Sequence, residues 1–146
     1  MTASTATMTG LRQDVSRTPL PGMTRGAVRA WLRLEGLAAF CAGLALFGTS
    51  GGNWLFIIPL LLLPDISVAG FAAGSRVGTF TYNLVHNWAP GLVILALAVL
   101  FASPGLELVA AILIAHVGMD RAAGYGLKLP NSFKDTHLGR MGRAEA

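Results

Sequence analysis

Four apolar stretches, at roughly 31–48, 54–73, 78–102 and 106–127, follow one another with little between them in a 146-residue chain. A helix rising about 1.5 Å per residue needs about 20 mostly apolar residues to cross a hydrocarbon core of roughly 30 Å. Backbone inside lipid must also satisfy its own hydrogen bonds, which favours helices. The pattern predicts an all-α, integral-membrane bundle of four transmembrane helices. With 53% hydrophobic and 12% charged residues, the chain is too apolar for an ordinary soluble domain of this size. The connections "GTSGGN", "GSRVG" and "SPG" are short enough that successive helices must run antiparallel as neighbours.

Outside this core, residues 1–24 are rich in Thr, Ser and Arg and lack the apolar run of a signal peptide, so a disordered tail is expected there. The membrane domain is expected over 25–128, and 129–146 reads as a cytoplasmic tail able to fold back as a lid. Cys41, the single cysteine, falls inside the first stretch and reads as filler facing lipid or core.

The basic residues set the orientation. Arg12, Arg17, Arg25, Arg29 and Arg33 precede or open the first stretch, Arg76 lies in the second connection, and Arg121, Lys128, Lys134, Arg140 and Arg143 close the fourth. The first and third connections carry none. Positive flanks stay cytoplasmic, so both termini are expected in the cytoplasm of a bacterium, with the chain in its inner membrane. Attraction to anionic lipid accounts for the net charge of +4 without nucleic acid, for which the tails lack interleaved aromatics.

Against that background the ionisable residues inside the stretches stand out. Counted from the cytoplasmic ends at the helical rise, Asp65 lies about 13 Å deep, His86 about 12 Å, His116 about 16 Å, Asp120 about 10 Å and Glu35 about 7 Å. A charge facing lipid there costs about 2.5–3.5 kcal/mol or more, so these groups are expected to face one another inside the bundle. His116 and Asp120 are one helical turn apart, as are Tyr82 and His86. Small residues sharing faces with the acids, and the series Gly70, Gly74, Gly78 and Gly118, Ala122, Gly126, would let helices approach closely. Pro64 and Pro90 should each free a carbonyl four residues earlier, those of Leu60 and His86, beside the charged groups.

The segments "RLEG" (33–36), "PDIS" (64–67), "YNLVH" (82–86), "AHVGMDRAAGYGLK" (115–128) and "FKDTHLG" (133–139) resemble a family of small bacterial four-helix integral-membrane proteins catalogued as a domain of unknown function. The similarity covers about 30–140 and leaves the N-terminal tail outside. It implies an integral-membrane bundle and no activity. Leu129 departs from the aromatic expected at that position, which touches only a peripheral contact.

Chemistry must then come from the residues. His86, His116, Asp65 and Asp120 form a mixed nitrogen and oxygen set suited to zinc, iron or manganese, joined by Glu35 or His137 if those reach it. No HExxH or ExxH pattern occurs. A metal-free alternative uses Glu35 or Asp65 as a general acid and the His116–Asp120 pair as base, on a lipid-like substrate entering from the bilayer. In either case Glu35, Asp65 and Asp120 are the catalytic candidates, and Tyr82, Arg121, Tyr125 and His137 are candidates to contact a cofactor, with Tyr125 at the mouth and His137 on the lid. A proton or ion relay is a further reading; with four helices and an apolar outer half it would require a homo-oligomer. Ion pairs of Glu35 and Asp65 with Arg33, Arg76 and Arg121 that only fix helix register are the structural alternative. Trp31, Trp54, Tyr125 and Phe133 fall near stretch ends as interfacial anchors.

Overall fold

The computed structural model describes residues 24, 26–130 and 133–141; the tail expected over 1–24 falls, apart from Thr24, outside the described residues. Helix α1 (Gly26–Thr49) leads through a turn into a second apolar segment of three pieces: a 3-10 turn (Trp54–Phe56), α2 (Ile57–Leu62) and a 3-10 segment (Leu63–Ala73). The third apolar segment is α3 (Ser75–Val85) followed by α4 (Trp88–Leu100), and α5 (Pro104–Ala123) comes last. A small antiparallel hairpin, β1 (Asp135–Thr136) and β2 (Gly139–Arg140), ends the described chain.

Three segments, Gly26–Thr49, Trp54–Ala73 and Ser75–Leu100, are long and apolar enough to cross a membrane. The fourth expected crossing is a helix of 20 residues, α5, which carries Glu107, Asp120 and Arg121 and holds more buried residues than any other described helix. It is the axis of the molecule. It stops at Ala123, short of the expected Leu127, because Gly124 turns left-handed at φ 93°, and Gly124 and Tyr125 donate their N–H groups to the Arg121 and Asp120 carbonyls.

Helix α1 packs along α5 at backbone contact distance. Gly36 lies against Arg121, Ala122 and Gly118, and Gly43 against Ala115, so the start of α1 meets the end of α5. At the other end Phe47, Ala111 and Ile112 form the apolar core. Outward faces stay apolar: Ile58, Leu62, Leu63, Ile66, Phe80, Leu84, Leu92, Val93, Val99 and Leu100 are exposed. Apolar exposure on this scale suits a lipid solvent and not water.

Both prolines shape the apolar segments that carry the ionisable cluster. Pro90 cannot donate to His86, the helix breaks there, and Asn87 caps α4 by accepting the Ala89 N–H. Around Pro64 the chain tightens to 3-10 geometry, so the acceptor left without a donor is three residues back, at Leu61, and not at Leu60 as α-geometry would have it. The Leu60 carbonyl instead accepts from Leu63 N–H.

Beyond α5 the chain folds back and is clasped. Asn83 on α3 accepts the Lys128 N–H at 2.7 Å and donates to the Lys128 carbonyl at 2.9 Å, imitating a neighbouring strand. Lys128 also bridges to Thr136, and Leu129 N–H bonds the Asp135 carbonyl, so Thr136 and Leu138 are fully buried. Changing Asn83 to alanine removes both bonds and leaves buried backbone groups unmatched, a loss of about 2 kcal/mol. Amide hydrogen exchange over 127–141 is expected to accelerate accordingly; unchanged protection would show that the clasp does not hold the segment.

His137 fastens the same segment. Its Nδ1 accepts the Leu127 N–H at 2.8 Å, which requires a neutral ring, and its carbonyl accepts from Thr24. Burial, with the Arg121 guanidinium adding to it, lowers the His137 pKa below the ordinary histidine value of 6.5. A native pKa below the unfolded one means the undocked segment binds the proton more readily. The contribution to docking is therefore complete above about pH 6.5 and is lost as pH falls through the lower native value. Protease sensitivity of the C-terminal segment should rise on acidification in the wild type and lose that step in His137→Asn, whose Oδ1 can accept the same N–H; an identical pH profile in both would refute the role.

Candidate functional site

The site starts from two histidines whose tautomers are fixed by backbone. His116, in the middle of α5, directs Nδ1 to the Leu61 carbonyl at 2.5 Å, the group that Pro64 leaves without a donor. His86, at the end of α3, directs Nδ1 to the Tyr82 carbonyl at 2.9 Å, with Ser67 Oγ at 3.5 Å. A carbonyl oxygen can only accept, so each Nδ1 carries a proton and each Nε2 is the ring atom turned toward the centre. The two rings meet edge to face with centroids 4.8 Å apart.

Both Nε2 atoms face carboxylates. His86 Nε2 lies 3.3 Å from Asp65 Oδ1 and 3.9 Å from Asp120 Oδ2, and His116 Nε2 lies 3.7 Å and 3.8 Å from the same two atoms. His116 Nε2 is buried and has no hydrogen-bond partner. Two ring nitrogens and two carboxylates gathered this closely require positive charge between them, carried by protons on the rings or by a metal ion. Donors bound tetrahedrally at about 2.0–2.2 Å stand about 3.3–3.6 Å apart, and the four nitrogen–oxygen separations, 3.3–3.9 Å, lie close to that range. Ligand atoms of Asp65, His86 and His116 all fall within 4.8 Å of one another.

The surroundings hold this arrangement. Tyr82 OH donates to Asp120 Oδ2 at 3.3 Å while its ring stacks on His86 at 3.7 Å between centroids. Arg121 donates Nη2 to the His86 carbonyl, the one Pro90 frees, and Nη1 to the Tyr125 carbonyl, each at 3.0 Å. Behind Tyr82 the Lys128 ammonium lies 4.9 Å from the ring centroid, bonded to the Phe133 carbonyl and set over the Phe133 ring. Burial lowers the Lys128 pKa below the usual lysine range, against the pull of Asp120 and Asp65.

The two carboxylates are unequal. The Asp120 side chain is 11% exposed and anchored by Tyr82, whereas that of Asp65 is 46% exposed. The centre is closed on the α5 side and open past Asp65.

Several candidates fall elsewhere. Glu35 stands on the exposed side of α1, since its neighbour Gly36 is the residue that meets α5 and successive helix positions turn by about 100°. Tyr125 exposes its ring and contributes only its carbonyl to Arg121. His137 is occupied with Leu127 and stays outside the cluster. Arg121 supports the site through backbone carbonyls, and Arg33 bonds the Ala122 carbonyl. Among the described residues none of Arg33, Arg76 and Arg121 pairs with Glu35 or Asp65, so the register-setting ion pairs do not form. Asn83 and Lys128 were not singled out as a pair by sequence, and the polar side chain in "YNLVH" did not by itself point to a partner 45 residues on.

No curated protein and no solved structure matches the chain. The model of one family, described as a domain of unknown function (DUF4260), matches residues 29–141, which takes in α1 from Arg29 onward, all four residues of the cluster and the clasped C-terminal segment, and the chain belongs to that family.

Proposed function

We propose that this is a membrane-embedded metal protein, with His86, His116, Asp65 and Asp120 holding one divalent cation for chemistry on a lipid-like substrate. The observation that carries the reading is the buried, unpartnered Nε2 of His116, aimed between two carboxylates by a tautomer that its bond to Leu61 fixes. Two imidazole nitrogens and two carboxylate oxygens suit zinc, iron or manganese. Carbonyl partners on both Nδ1 atoms are the outer contacts that metal-binding histidines use. Such a cation, when bound, supplies a Lewis acid in a water-poor setting. Asp65, half open, is the group placed to exchange a proton with whatever binds there, and Asp120 is held still by Tyr82.

The same reading places the chain across a bacterial cytoplasmic membrane as four helices with both ends inside. It is supported by three apolar crossings, the meeting of the α1 start with the α5 end, and the collection of Arg and Lys at that end. Metal analysis of detergent-purified protein is the test. About one zinc, iron or manganese per chain is expected, and a folded, monodisperse preparation that neither contains nor takes up any of them would end the proposal. Cysteine-accessibility labelling at both termini, with an impermeant reagent on intact cells, should give no reaction; labelling of either end would reverse the orientation.

A further inference from the structure

We infer that the groove between α3 and the clasped C-terminal segment seats one anionic phospholipid, its phosphate on Arg76 and one acyl chain along Phe80 and Leu84. This site lies on the outer surface of α3 and does not depend on a metal at the histidine cluster.

The groove has a volume of about 460 Å³ and is lined by Arg76, Thr79, Phe80, Asn83, Leu84 and Pro130. That is room for a headgroup and the upper part of one chain. Phe80 and Leu84 are exposed while Tyr82, midway between them, is buried against the cluster, so the groove opens on the side of α3 turned away from the histidines. Arg76, Phe80 and Leu84 follow at four-residue steps and form one ridge along the helix. At 1.5 Å per residue, Phe80 stands about 6 Å and Leu84 about 12 Å beyond Arg76. Arg76 lies in the first turn of a segment long and apolar enough to cross a membrane. The ridge thus runs from a charge at the segment's edge to apolar side chains within it, which is the order of polarity along a phospholipid.

The donors and the field select the headgroup. Among the described residues the Arg76 and Thr79 side chains form no hydrogen bond or ion pair, and no acidic side chain lines the groove. A guanidinium takes two phosphate oxygens at once, and the hydroxyl adds a third donor. Charges nearby reinforce the attraction: the described residues of this end carry seven Arg and Lys side chains against four carboxylates, Glu35, Asp65, Asp120 and Asp135. The excess is positive with the cluster as it stands and grows when a cation binds there. Basic grooves at the membrane edge hold anionic headgroups through such a field. A zwitterionic headgroup brings an ammonium into it, and a free phosphate leaves Phe80 and Leu84 uncovered.

The bound lipid acts on the clasp. Asn83 lines the groove and, through the same amide, holds the Lys128 backbone, and Pro130 on the opposite wall lies two residues further on. A molecule that touches both walls is released when they part, so its binding stabilises the docked segment by mass action.

The test uses full-length protein in dodecyl maltoside, with native mass spectrometry to count retained lipid and amide hydrogen exchange over 127–129 to read the clasp. Phosphatidylglycerol should be retained at one molecule per chain. At about ten times its half-saturation it should slow the exchange about tenfold. Phosphatidylcholine at the same mole fraction, and glycerol phosphate at the same concentration, should leave the exchange unchanged. Arg76→Gln should abolish both retention and the lipid-dependent slowing, whereas Arg140→Gln, which removes an exposed charge outside the groove, should keep both. Retention of phosphatidylcholine equal to that of phosphatidylglycerol overturns the charge assignment, and protection by glycerol phosphate overturns the lipid. An unaffected Arg76→Gln, or equal losses in Arg76→Gln and Arg140→Gln, overturns the groove as the site. Metal content should be the same in Arg76→Gln as in the wild type, so the outcome is independent of the proposed metal centre.

Discussion

His116→Ala is expected to abolish stoichiometric metal binding while the bundle stays assembled. The substitution removes one of the four proposed donors, the one whose Nε2 is buried without a hydrogen-bond partner. Losing outer-sphere partners of metal ligands typically costs 10–100-fold in affinity, so losing a ligand should cost on the order of a hundredfold or more. The same change leaves the buried Leu61 carbonyl without its donor, at about 1–3 kcal/mol. His116→Asn separates the two effects, because its amide can reach toward Leu61 but offers no second nitrogen toward Asp65 and Asp120. Chelator competition should show both variants equally weak, with His116→Asn the more stable. Wild-type affinity in either variant would remove His116 from the site.

Gly118→Ala is expected to be the most damaging small change in the membrane domain. A Cβ there would lie 2.4 Å from Phe40 N, 2.8 Å from the Gly36 carbonyl oxygen and 2.9 Å from Phe40 Cα, all backbone atoms that cannot rotate aside. Helices α1 and α5 would have to separate, losing the close packing that holds membrane helices together. About 3 kcal/mol, the upper end of the overpacking range, is the expected loss. His116 lies two residues before Gly118 on the same helix, so metal affinity should fall as well. Gly105→Ala, whose nearest new neighbour is Ser103 Oγ at 4.0 Å, is the control. Thermal unfolding in detergent compares them, and a Gly118→Ala protein as stable as Gly105→Ala would mean that the two helices are not in contact as described.

The cluster was legible in the sequence because charge inside apolar stretches is costly and must be shared. Asp65, His86, His116 and Asp120 meet as that cost requires. Depth alone could not place Glu35, since counting along a helix fixes height and not azimuth; the glycine beside it marked the packed side. Pro90 was read correctly to the atom it frees, but the partner of that carbonyl, Arg121, comes from 35 residues away and no local pattern announces it. Pro64 was read one residue off because the i−4 rule assumes an α-helix, and the chain there is 3-10. The Asn83 clasp was illegible for a similar reason: an amide imitating a strand is recognised only once the strand, 45 residues on, is in place.

X-ray absorption at the metal edge of the purified wild-type protein examines the first coordination shell directly. The expected shell has two imidazole nitrogens and two or more oxygens at about 2.0–2.2 Å, with the multiple-scattering pattern of two histidine rings. A shell containing sulfur, or one without imidazole scattering, would contradict the assignment of His86, His116, Asp65 and Asp120 as the centre of this protein.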